Sequence, residues 1–169
     1  ADSDPDELRL SVFHQAAHNY LPAQFNAEIP LWFSEGLALF LAPNEVEDTK
    51  VVLGERRFEF GTAADERVQK SPPGPDENVR QGHAREDWYD TGALLAARAD
   101  SRLLSTGENA HYMQGQCWLM AHKAFVDDEK FRESIFKYLD AVNSFTPIDK
   151  AVRKTFGLSV AELDRIIYG

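Results

Sequence analysis

Two histidines four residues apart, His14 and His18, lie in a run with helical spacing, and one glutamate, Glu35, lies in a second run that is otherwise almost wholly apolar. This pairing constrains the fold more than any other feature of the chain. Side chains at i and i+4 project from one face of a helix. A carboxylate inside an apolar helix needs a partner, because burying it bare is costly. Pro22 and Pro30 bracket a connection that lets the two helices pack against each other. The sequence thus predicts two packed helices, with two imidazoles and one carboxylate facing a common point.

The boundaries of these helices follow from their punctuation. Asp4 reads as an N-cap, Pro5 as the first-turn residue and Glu7 as the closing member of a capping box. The first helix is expected to run through His18 and stop by Pro22. Leu10, Phe13, Ala17 and Tyr20 share one side, and Val12 and Ala16 widen the apolar surface, so a central helix is expected. The second helix is expected over 30–42, with Pro43 ending it. Only Ser34 and Glu35 interrupt its apolar character, and Trp32, Phe33, Leu37, Phe40 and Leu41 read as core.

Beyond it the period changes. Val51, Leu53, Arg56, Phe58 and Phe60 alternate around Gly54-Glu55, which predicts a small hairpin or extended segment over 49–60. Residues 61–90 are polar and contain Pro72-Pro73-Gly74-Pro75, the composition of a long loop. Helices are then expected over 92–104, 108–126 and 128–141. Another starts at Thr146-Pro147 and ends at Gly157, and a last one opens on the capping box Ser159-Val160-Ala161-Glu162. A chain of 169 residues with 43% hydrophobic and 27% charged side chains suits one domain, 1–169, with a real core. The expected class is mainly α (α+β), with a minor β element.

A net charge of −10 argues against nucleic acid and anionic lipid as partners. No run is long and apolar enough for a membrane span. The single cysteine, Cys117, excludes an internal disulfide and a cysteine-based metal cluster, and reads as a small buried hydrophobe. The first residue is Ala rather than Met, as in a mature or trimmed chain; a removed export signal would leave no trace, so the sequence leaves the compartment open, with an exported or periplasmic location slightly favoured. The sequence leaves the oligomeric state open.

Zinc in a catalytic site typically takes three protein ligands and keeps one position for water. His14, His18 and Glu35 have the chemistry and the order for that role. The alternative is two core histidines and an incidental glutamate. The whole arrangement resembles the gluzincin-type zinc metallopeptidases, in which H-E-x-x-H is followed by a glutamate ligand. Trp32-Phe33-Ser34-Glu35-Gly36-Leu37-Ala38 is similar to the W-x-x-E-G-x-A segment of aminopeptidase-like members and their small bacterial relatives. The specific motifs cover residues 13–41. Tyr112-Met113-Gln114-Gly115-Gln116-Cys117-Trp118 resembles, more loosely, a Tyr-x-x-x-x-x-Trp helix of those relatives. The resemblance implies a zincin-like helical catalytic subdomain, zinc held by His14, His18 and Glu35, and a peptide or protein substrate.

Three departures from that pattern bear on function. Gln15 occupies the position of the general base, and an amide cannot take a proton from water at neutral pH. It reads either as a natural pseudo-peptidase or as a deliberate Glu-to-Gln exchange, the smallest change that silences such a site. Leu39 stands one turn after Glu35, where some relatives carry an acidic residue that orients a histidine. A carbonyl or carboxylate from elsewhere must then hold the free ring nitrogens. The sheet that precedes the metal helix in many relatives is not evident, and residues 51–60 are the candidate replacement for its edge strand. Tyr112 is the first candidate oxyanion donor and His111 the second, with ordinary helix packing as the alternative. His122 reads as a packed or capping histidine, His83 as solvated, and Glu108 as a remote candidate for contact with a substrate amine.

Overall fold

The computed structural model describes residues 5–25, 28–47, 49–53, 89–98 and 110–168. Helix α1 (Pro5–Gln24) leads into α2 (Leu31–Leu41), followed by a hairpin of β1 (Glu45–Glu47) and β2 (Lys50–Val52). After the long segment come α3 (Thr91–Ala96), α4 (Ala110–His122), a single π turn (Lys123–Asp127), α5 (Glu129–Asn143), α6 (Ile148–Phe156) and α7 (Val160–Tyr168). The chain is mainly α, as its sequence predicts.

Helix α2 is the organising element. Pro30 sits at its N-cap with ψ 146°, which sets the chain direction into the first turn. Nine of its residues, Leu31–Phe33 and Glu35–Phe40, are buried. A helix apolar all round needs neighbours on several sides. It packs on α1 and, most closely, on α4. Gly36 sets that closeness: a Cβ there would lie 2.3 Å from the Cys117 carbonyl oxygen. The core continues through Leu94, Met113, Met120, Ile135, Tyr138, Val152 and Leu163, which joins α3 to α7 to the same interior. Trp32 and Phe33 are buried with them.

Several expectations are corrected. Helix α1 continues past Pro22 to Gln24. A proline near a helix end forfeits its own hydrogen bond and crowds the carbonyl four residues back, and buried Leu21 holds that turn against the core nonetheless. The helix is peripheral rather than central, with Val12, Phe13, Ala16 and Tyr20 exposed and Ala17 and Leu21 buried. Strand β2 pairs antiparallel with β1 upstream, Glu45 opposite Val52 and Glu47 opposite Lys50. The turn of this hairpin precedes residue 50; the turn expected at Gly54-Glu55 lies outside the described residues, as do the rest of 54–88, Asp4 and the Glu7 side chain.

Helix α3 ends at Ala96, well short of residue 104. Ala97 turns extended (ψ 127°), and its carbonyl accepts the Leu31 N–H at 3.2 Å, tying the end of α3 to the start of α2. The α4 segment is α-helical only to His122 and closes in the π turn. The later boundaries agree with the sequence to within about two residues. Gly157 ends α6 at φ 70°, and Ser159 and Glu162 form the expected reciprocal cap: the Ser159 N–H donates to Glu162 Oε2 at 2.7 Å, and the Glu162 N–H donates to Ser159 Oγ at 3.2 Å.

Candidate metal centre

His14 and His18 stand one turn apart on the face of α1 that meets α2, and Glu35 rises from the second turn of α2 toward them. The two Nε2 atoms are 3.0 Å apart. Glu35 spans both rings: Oε1 lies 3.0 Å from His18 Nε2, and Oε2 lies 3.7 Å from His14 Nε2. With Zn–N and Zn–O bonds of about 2.0–2.2 Å, ligand atoms on a tetrahedral ion lie about 3.3–3.5 Å apart. Taking one atom from each side chain, the three donors lie within 4.8 Å of one another, a looser cluster than the face of that tetrahedron but one that a single ion could draw together. Among the described residues they are the one group of three His, Cys, Asp or Glu side chains so gathered.

Proton counting sharpens the fit. His18 Nε2 has two acceptor-bearing neighbours at 3.0 Å and carries at most one proton, so it cannot make both contacts with a full hydrogen bond each. A cation at the centre suits all three lone pairs. Burial lowers the His14 pKa, with Glu35 opposing the shift and His18 adding to it, and this favours the neutral ring that metals require. The Glu35 carboxylate is itself only 8% exposed, so its partners decide whether its burial is tolerable.

Ser34 is the residue that sequence reasoning missed. Its Oγ lies 2.9 Å from His18 Nδ1. When Nδ1 donates this hydrogen bond, the Nε2 lone pair points into the triangle. The sequence predicts a carbonyl or carboxylate behind the rings; at His18 a hydroxyl one residue before Glu35 stands there instead. The signal was present, since Ser34 and Glu35 are the two polar residues of α2.

Gln15 is exposed on α1, beside the ligand face. Tyr112 is buried early in α4, outside the α1–α2 pair that forms the triangle. The His111 side chain, His83 and Glu108 lie outside the described residues. His122 is packed as expected, 4.9 Å from the Trp118 ring and with Nδ1 3.4 Å from Asp127 Oδ2. Cys117 is fully buried, and burial together with the nearby Glu35 charge raises its thiol well above the ordinary value.

The chain matches no protein-family model, no curated protein and no solved structure. No helix of the described residues is long and apolar enough to cross a membrane.

Proposed function

We propose that this chain is a zinc metallopeptidase-type domain in which His14, His18 and Glu35 hold one ion and Gln15 stands at the general-base position. The supporting observation is the gathering of His14, His18 and Glu35 on two packed helices, one donor atom of each within 4.8 Å of the others. Held there by His14, His18 and Glu35, zinc would supply Lewis acidity and would make water a better nucleophile near neutral pH. The chain's own residues do the rest. His14 and His18 present their Nε2 atoms, burial favouring the neutral ring at His14, Ser34 meets the His18 ring from behind, and Glu35 adds a carboxylate. Gln15 preserves the shape of a glutamate but neither takes nor returns a proton at neutral pH. In this form the domain holds metal and engages a peptide or protein chain without cleaving it.

Gln15 also supports a second reading, a zinc-containing module that captures peptides and never hydrolysed them. A peptide-library digest with the chain as it stands and with its Gln15→Glu variant, each carrying zinc, separates the two. General acid–base catalysis is typically worth ~10²–10⁴-fold, so cleavage by the variant alone supports the peptidase. No cleavage by either favours the binding module. Equal cleavage by both refutes the role given to position 15, and failure of both to bind zinc removes the proposal.

A further inference from the structure

The face of α1 that looks away from α2 has no use in the metal reading. Leu8, Val12, Ala16 and Tyr20 recur every fourth residue along it, with Phe13 at its edge. Their side chains are open: Leu8 is 60% exposed, Val12 57%, Tyr20 61% and Phe13 40%. His14 and His18 occupy the opposite side, against α2. The helix is thus apolar both toward the core and toward solvent, the pattern of a helix meant to be covered on two sides.

We infer that this outer face of α1 is where two copies of the chain associate. Three observations favour a second copy. The first is charge. Each copy carries −10, so approach is repulsive over most of the surface. Residues 10–27 contain no Asp, Glu, Lys or Arg, in a chain that is 27% charged. The second is self-complementarity. In a twofold, antiparallel pairing, Leu8 lies opposite the partner's Tyr20 and Val12 opposite the partner's Ala16, and the reciprocal pairs repeat by symmetry. Large residues thus meet large ones at the ends, and a large one meets a small one beside the axis, along i±4 ridges that suit helix packing.

The third observation is area. A 20-residue helix is about 30 Å long. Its exposed apolar side chains offer on the order of 500 Å² per copy. Two copies then reach about 1,000 Å², the lower bound for a specific interface. The association is therefore weak and concentration-dependent. It does not depend on the metal, and the ligand triangle faces away from it.

Sedimentation velocity of the full chain over about 1–200 μM, the range suited to an interface near that size bound, tests the inference. The weight-average mass is expected to climb from monomer toward dimer, and Val12→Asp is expected to remain monomeric throughout. Val12 is exposed, so the circular dichroism and melting of the dilute variant should match the parent. A Val12→Cys, Ala16→Cys double variant should form an intermolecular disulfide dimer on mild oxidation, and buried Cys117 is shielded from competing. A monomeric mass at every concentration overturns the inference. So does a dimer that Val12→Asp leaves intact, or a double-cysteine variant that fails to crosslink at the highest concentration.

Discussion

Helices α5 to α7 carry their own terminators and an outward polar face, whereas α2 starts without a side-chain cap and is buried on almost every side. Asp128 caps α5 by accepting the Phe131 N–H at 3.0 Å, and Arg132 and Lys137 pair with glutamates on its outer side. Gly157 stops α6, and the Ser159–Glu162 box starts α7. In contrast the N-terminus of α2 has no side-chain cap, although Asn44 Nδ2 donates to the Leu41 carbonyl at its other end, and its two polar residues are directed to His18 and the triangle. Local rules account for the first group. The second group depends on what lies across from it in the fold, above all the contact of α2 with α1 and α4. Polar groups that could have capped or solubilised the N-terminal pair are instead gathered at a site.

That contrast can be broken, and the harshest attempt is Gly36→Ala. Alanine favours a helix intrinsically by roughly 1 kcal/mol, but here its methyl would press on the Cys117 carbonyl, which is backbone and cannot swing aside. We expect a net loss of about 3 kcal/mol or more, at the upper end of overpacking costs, read from the urea midpoint. A neutral or stabilising result would mean that α2 and α4 are not so close.

Metal comes next. Zinc at about 100 times its dissociation constant should stabilise the fold by ~2.7 kcal/mol. A chelator should reverse the rise in melting temperature, and His14→Ala or His18→Ala should abolish both the rise and the stoichiometric zinc. Stoichiometric zinc in the double His→Ala variant would end the ligand assignment.

Ser34→Ala is the finer probe. Loss of a hydrogen bond behind a ligand typically costs ~10–100-fold in metal affinity, and Ser34→Thr should recover most of it. Competition titration against a chelating dye measures both, and an unchanged affinity in Ser34→Ala would show that the His18 ring needs no such support. The smallest effect belongs to the other half. Asp128→Ala should cost about 1 kcal/mol, as loss of an N-cap does, with zinc affinity unaltered. A shift in zinc affinity there would couple the two halves and dissolve the contrast.

The capped half was legible for the same reason. Asp128, Pro147, Gly157 and the Ser159–Glu162 pair mark boundaries through groups one to four residues apart, and the helices fall close to where those residues put them. The gathering of His14, His18 and Glu35 was legible too, because i, i+4 spacing and a lone carboxylate in an apolar helix are local facts. What could not be read was pairing at a distance. The alternation over residues 51–60 gave no sign that Lys50–Val52 would take Glu45–Glu47 as its partner. The apolar periodicity of α1 was visible, but not which of its faces would meet the core. Ser34 was missed because its role depends on a ring sixteen residues away.

The Cys117 thiol, enclosed where α2 crosses α4, gives the molecule an internal clock. It is fully buried, and its ionisation is suppressed by burial and by the Glu35 charge, so a thiol reagent meets neither an accessible sulfur nor a reactive thiolate. Labelling must wait for the two helices to part. The rate at which the native protein takes up such a reagent then measures how often that crossing opens, without denaturant. Anything that clamps α2 from its other side, zinc included, should lengthen the interval between openings.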